Sequence, residues 1–557
     1  MSCWQREVVA YQIYPRSFKD SNGDGIGDLK GVTQKLDYLK DLGIDLIWMS
    51  PIYKSPNDDN GYDISDYKDI LAEFGTMEDF DNLLREVHER GMRLIMDLVI
   101  NHTSDEHPWF IEAKSSKDNE KRDWYIWRKG KKSVDGKSDE PNNWASIFGG
   151  SAWEYDSSSD EYYLHLFSKK MPDLNWENEG LRNALYDMIN WWLDKGIDGF
   201  RVDAISHIKK YDYDDMPNPD NLKYVQSFDK HMKQPGIEVL LKDLKENTFD
   251  KFDVFTIAEA SGVSVEDLEE WAGNNNGKFS MVFQFEHMNL WNMDSTEKSP
   301  LPYIKKTLSR WQDAIYKDGW IALFFENHDL TRSVSKFGND KEYWKESAKA
   351  LALMYFMQMG TPFIYQGQEI GMTNADYSSI DDFDDVATIH NYKEKVEHGM
   401  SEEEAFKIIK ETTRDNSRTP MQWNSTENGG FTNGTPWMKV NKNHKVINVE
   451  DELKDEDSIL NFYKRMIKIR KENKALIYGK YMLILEDHDK IYSYTRELND
   501  ERYIIITNIS DENVEFIYDK EKLNYEGLVL SNYKVNKHKE ISEFVLRPFE
   551  ARLYKLN

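Results

Sequence analysis

Four stretches of the chain end a β-rich run on groups that can move protons or bind hydroxyls. They are Asp97-Leu-Val-Ile-Asn-His102, Arg201-Val-Asp203, Glu259 and Glu326-Asn-His-Asp329. A single acidic residue at a strand end more often caps a following helix than does chemistry. Four such ends become informative together if their strands are neighbours in a parallel barrel, whose C-terminal rim carries active sites. The set suits glycoside hydrolysis. That reaction needs one carboxylate as nucleophile and one protonated carboxyl as acid, about 5–5.5 Å apart in a retaining enzyme. Arg201 precedes Asp203 by two residues, so in a strand both side chains leave the same face. A guanidinium beside a carboxylate favours its ionised, nucleophilic form.

The elements that must position these groups repeat as strand then helix. Strand candidates are Tyr11–Tyr14, Leu46–Met49, Leu94–Val99, Gly199–Asp203, Val254–Ala258, Ser280–Phe283, Ile321–Phe325 and Pro362–Tyr365. Helical stripes fill most of the gaps. Phe80, Leu83, Leu84 and Val87 follow Thr76 and Asp79, which are spaced as a capping box. Leu181, Leu185, Met188, Ile189 and Trp192 make another stripe, with Gly196 placed as its C-terminal cap. Eight β-then-α units predict an α/β fold, a (β/α)8 barrel. It spans 1–102 and 172–475, with an insertion at about 375–420 and a helix over Ser458–Lys471. Residues 103–171 lack helical periodicity and read as a subdomain inserted after the third strand. From 476 to 557 the period becomes two, which predicts an antiparallel β-sandwich.

Composition limits the function. With 72 Lys+Arg against 100 Asp+Glu the net charge is −28, which disfavours nucleic acid and anionic membrane as partners. No apolar run reaches the 18 residues a spanning helix needs. The single cysteine, Cys3, excludes an intramolecular disulfide. The expected location is the cytoplasm, and the expected partner is a small oligosaccharide, bound by a monomer or a weak homodimer. The 17 Trp and 31 Tyr are compatible with sugar stacking, though a large core would use them equally.

Longer motifs carry a resemblance. Tyr14-Pro-Arg-Ser-Phe18, Ser55-Pro-Asn-Asp-Asp-Asn-Gly-Tyr-Asp63, the four strand ends, Gln366-Gly-Gln-Glu369 and Arg414-Asp-Asn-Ser-Arg-Thr-Pro-Met-Gln-Trp423 stand in order along the chain. In these the chain resembles glycoside hydrolase family 13, the α-amylase family, and within it the bacterial α-glucosidase and oligo-1,6-glucosidase branch. The resemblance implies Asp203 as nucleophile, Glu259 as general acid/base and Asp329 as the group binding the 2- and 3-hydroxyls. It implies His102 and His328 as further sugar ligands. An Asp59–Arg414 pair would close the pocket behind one glucose, making the enzyme exo-acting. Tyr62 would be a stacking platform and Phe167 a second aromatic wall. His207 reads as a packing residue.

Two positions bear on linkage. Ala204, on the expected pocket floor, and Met171 both lean towards α-1,4 or mixed specificity; Val at 204 goes with α-1,6 activity in this branch. Such a swap shifts preference by about 1–3 kcal/mol at most. Asp20, Asn22, Asp24, the Ile26 carbonyl and Asp28 have the spacing of a calcium loop, without the Glu at its twelfth position. The resemblance implies Ca2+ there, or Mg2+, in a structural role; the alternative is a metal-free polar turn. No organic cofactor is implied. Leu330–Phe337 lacks the Arg-rich gate of the branch's sucrose isomerases, and no Lys/Arg cluster suits a sugar phosphate. A non-catalytic binding homologue would have lost Asp203, Glu259 or Asp329, and all three are present. No His-x-His or His-Glu-x-x-His spacing supports a metallohydrolase.

Overall fold

The structure is a computed structural model that describes residues 4–132, 138–287, 301–519, 523–535 and 541–557; Cys3 lies outside them. Eight strands form one parallel sheet: β1 Ala10–Ile13, β2 Leu46–Met49, β3 Arg93–Val99, β4 Gly199–Asp203, β5 Phe255–Glu259, β6 Met281–Phe283, β7 Ala322–Leu323 and β8 Thr361–Tyr365. Their order is β6-β5-β4-β3-β2-β1-β8-β7, and a parallel bridge between Val282 and Ile321 joins the two edges into a barrel. These strands are apolar runs because both faces are covered: every residue of β2, β4 and β8 is buried. β4 starts at Gly199, whose φ is +141°. A Cβ there would lie 1.8 Å from the Phe255 carbonyl oxygen, so only glycine lets β4 approach β5.

The helix signals hold locally. Thr76 and Asp79 form a reciprocal capping box on Met77–Glu89. Gly196 ends Glu179–Lys195 in the left-handed region at φ 103°. Ser458 caps Ile459–Glu472. β7 is shorter than its apolar run, because Phe324 and Phe325 leave the ladder and pack their rings on Phe283 and Tyr355. That turn leads to His328 and Asp329 at the barrel mouth, while Glu326 is held by Ser333 and Arg332.

Residues 103–171 contain more regular structure than their pattern suggests. A helix, Pro108–Ser115, precedes a three-stranded antiparallel sheet of Trp127–Arg128, Glu161–Leu164 and Trp153–Asp156. The loop after β4 reaches this subdomain, where Val225–Gln226 pairs in parallel with Trp144–Ala145. The second insertion is a helical hairpin, Val386–Glu397 and Glu402–Thr412. The C-terminal domain has a five-stranded antiparallel sheet and a separate two-stranded one. One side holds its own core around Ile504, Ile506 and Phe516. From the other, Tyr492, Tyr494 and Ile505 join the barrel core.

Candidate active site

β4 and its neighbours converge on one guanidinium. Arg201 lies opposite Asp97 in the β3–β4 register. Its Nη1 donates to Asp97 Oδ1 at 2.7 Å and to Asp203 Oδ1 at 2.6 Å. Its Nη2 is 2.9 Å from Glu259 Oε2. Asp203 and Glu259 thus meet the same guanidinium, which suits the close pair, about 5–5.5 Å apart, of a retaining enzyme. The next residue, Ala204, is held at φ 43°, ψ 28°. This left-handed turn aims its amide at Glu259 Oε2, 2.7 Å away. The strain of that conformation, about 1 kcal/mol or more, buys a fixed hydrogen-bond donor beside the acid.

The electrostatics separate the two carboxyls. Burial pushes Glu259 up; Arg201 opposes it, the Asp203 charge adds to it, and the result is about 8. For Asp203 burial again leads, Arg201 pulls down, and the group stands at about 6. Arg201 lowers Asp203 as a neighbouring cation should, but desolvation at 8% exposure outweighs it. At neutral pH one carboxyl is ionised and the other protonated, the division of labour that a nucleophile and an acid require. We therefore expect a bell-shaped pH profile of kcat/KM. Activity falls below about pH 6 as the nucleophile gains a proton and above about pH 8 as the acid loses one. A flat profile between pH 5 and 9 in purified enzyme overturns this assignment.

Asp329 stays ionised. Burial raises it, but His328, Arg414, Arg418 and Arg201 together hold it well below the usual carboxylate range. His328 is itself kept neutral by burial, at about 3, so near pH 7 the arginines supply the charge. Gln12 Nε2 lies 2.8 Å from His328 Nδ1, which leaves the proton on Nε2, 2.7 Å from Tyr62 Oη. Tyr62 in turn donates to Asp97 Oδ2 at 3.0 Å. His102 is buried and neutral, at about 4, and its Nε2 has no protein partner. That nitrogen is thus uncommitted, as a sugar ligand's would be.

Arg414 closes the far side. Its Nη2 is 3.1 Å from Asp59 Oδ1, and its Nη1 is 3.1 Å from Asp329 Oδ1. Phe148 lies under the guanidinium at 5.1 Å and packs edge-on to Phe167, which stands 5.1 Å from His102.

Residues 12–479 match the family model described as alpha amylase, catalytic domain. The chain belongs to the α-amylase family. It is 55% identical over 552 residues to the probable oligo-1,6-glucosidase 3 of Bacillus subtilis (strain 168), covering 99% of each chain. It is 50% identical to the oligo-1,6-glucosidase of Parageobacillus thermoglucosidasius, with the same coverage. Among solved structures, the trehalose-6-phosphate hydrolase of Bacillus licheniformis superposes with a TM-score of 0.92 at 43% identity, covering 100% of both chains. The chain is a glycoside hydrolase.

In this α-amylase family chain the structure brings Asp59, Tyr62, His102, Phe167, Arg201, Asp203, Ala204, Glu259, His328, Asp329 and Arg414 to one mouth. His207 lies behind it, its Nδ1 2.9 Å from His231 Nδ1, in keeping with a packing role. Sequence reasoning gave no role to Asp97, Phe148, Asp385 or Arg418. Arg418 donates to the His328 carbonyl and to Asp329 Oδ1, both at 3.1 Å. Its spacing of four from Arg414 was the available signal.

The loop 20–28 lies apart from the mouth. Its donors are all oxygens, which suits Ca2+ or Mg2+. Asp20 already accepts the amides of Asn22, Gly23 and Gly25 and the Thr432 hydroxyl. Asp28 accepts from Ser21 and caps the next helix through the Gly31 amide. Asn22 and Asp24 bond each other and are exposed. Among the described residues no three acidic, histidine or cysteine side chains are drawn together around one point.

Proposed function

We propose that the chain is a retaining, exo-acting α-glucosidase that releases glucose from the non-reducing end of short α-1,6-linked glucosides. The observation that carries the chemistry is Arg201, one guanidinium shared by Asp203 and Glu259. Asp203 attacks the anomeric carbon while Glu259 passes its proton to the departing oxygen. A glucosyl ester forms on Asp203 and the aglycone leaves. Glu259, now ionised, takes a proton from water, which attacks the same carbon and frees glucose. Asp329 adds a second ionised carboxylate to stabilise the developing oxocarbenium, and Asp59 with Arg414 grips the outer end of the sugar.

The linkage rests on the full-length relatives, whose names specify 1,6 bonds. A second reading, α-1,4 or mixed, rests on Ala204. Met171 packs into the main core and adds nothing to it. The test is kcat/KM for isomaltose and maltose side by side. We expect isomaltose to be favoured at least about tenfold, within the range one pocket contact supplies. A maltose preference replaces the α-1,6 reading with the second.

We further propose that the loop 20–28 takes Ca2+, with Mg2+ as the competing occupant. Its all-oxygen donor set supports this, and binding would organise the exposed Asn22 and Asp24. At a Ca2+ concentration of 100 Kd the gain is about 2.7 kcal/mol, or about 2 °C in Tm for a chain of this length. Calorimetry with CaCl2, MgCl2 and EDTA reads it directly. Identical Tm values in all three identify a metal-free turn.

A further inference from the structure

Resting on the α-glucosidase reading above, we propose that Asp385, whose two oxygens are taken up by Arg414 and Thr388, is a positioning residue that holds Arg414 across the pocket between Asp59 and Asp329. Asp385 is 1% exposed at the start of the inserted helical hairpin. Its Oδ1 accepts Arg414 Nε at 3.1 Å and also meets Arg414 Nη2. Arg418 Nη1 lies 3.7 Å from the same oxygen. Two guanidiniums therefore flank one carboxylate on its side, while both donate to Asp329 Oδ1 on the other. Without Asp385, Arg414 and Arg418 face each other as like charges with Asp329 alone between them. Arg414 would then be free to turn from Asp59, and the wall behind the glucose would open. The remaining groups around Asp385 are fixed by the backbone. Its Oδ2 accepts the Thr388 amide and hydroxyl, and its own amide donates to Asp415 Oδ2.

Asp385 is also the N-cap of Val386–Glu397. Asn caps a helix as well as Asp does, so Asp385→Asn removes the charge and keeps the cap. The test is a double-mutant cycle with Arg414→Ala, read on kcat/KM for p-nitrophenyl α-glucoside and on the Kd for glucose by calorimetry. Asp385→Asn is expected to lower kcat/KM at least tenfold and to weaken glucose binding, with Tm lower by no more than the about 3–5 °C that one broken buried pair costs in a chain of this length. In the Arg414→Ala background the same change is expected to cost less than threefold, since the residue acts through Arg414. Equal losses in both backgrounds, or a parental kcat/KM in Asp385→Asn, overturn the proposal. If the parent enzyme fails to cleave p-nitrophenyl α-glucoside, it is the α-glucosidase reading that fails instead.

Discussion

Asp203→Asn is expected to lower kcat by at least about 10^4-fold while KM for the same glucoside moves less than tenfold. The substitution preserves shape and an acceptor for Arg201 Nη1, which now sits 2.6 Å from the carboxylate. It removes the nucleophile, so no glucosyl ester forms. Losses of this size accompany removal of a group that forms the covalent intermediate. Binding is expected to survive because the proposed sugar ligands Asp59, His102, Asp329 and Arg414 stand on other strands and loops and are unchanged. Single-turnover measurement on p-nitrophenyl α-glucoside separates the two effects. Residual turnover within tenfold of the parent would sink the assignment of Asp203.

Arg201→Met should damage both stability and the pH profile. The side chain is 3% exposed and is ion-paired to Asp97, Asp203 and Glu259. Its removal leaves buried carboxylates uncompensated, a loss of about 3–5 kcal/mol. In a chain of 557 residues that corresponds to a Tm lower by about 3–5 °C. The deficit has a direction in pH. Burial already raises Asp97 and Asp203 to about 6 with Arg201 present, and losing its opposing charge raises them further. A carboxyl raised in the fold binds a proton there that the unfolded chain releases, so stability is lost as pH rises through the folded value. The Tm deficit is therefore expected to be larger at pH 8 than at pH 5. The acid limb of the activity profile should move to higher pH. An equal deficit at both pH values would show that the loss is one of packing.

The barrel was legible because a strand covered on both faces has to be an unbroken apolar run, and Leu46–Met49 and Gly199–Asp203 stand out at once. The inserted subdomain was legible as an insertion but not as a sheet. Trp127–Arg128 is two residues long, too short for a period of two to register. Val225 finds Trp144 only through a parallel pairing across 81 residues of chain. Asp203 and Glu259 were visible because each ends a strand, and Asp329 because its motif follows an apolar run. Asp385 was hidden in the acidic run Asp381-Asp-Phe-Asp-Asp385, where four neighbours look alike and only the contact with Arg414 marks one. Asp97 carried a usable sign, since it faces Arg201 one strand away. The balance between burial and ion pairing at Asp203 had no sign in the sequence, because it depends on how completely water is excluded.

The Asp59–Arg414 contact spans 355 residues of chain, and Trp423 reaches back 405 residues to the Phe18 carbonyl. Contacts of such separation form late, because every intervening element must first be in place. At about 5–20 residues per second of synthesis, roughly 20–70 s pass between the emergence of Asp59 and that of Arg414. Throughout that interval the barrel mouth lacks its far wall, and Asp329 lacks both arginines. A nascent chain interrupted before the helical hairpin thus carries Asp203 and Glu259 but no finished pocket. The mouth is therefore complete only once synthesis has passed Arg418, and a shorter nascent chain holds the carboxyl pair without the wall that Arg414 builds.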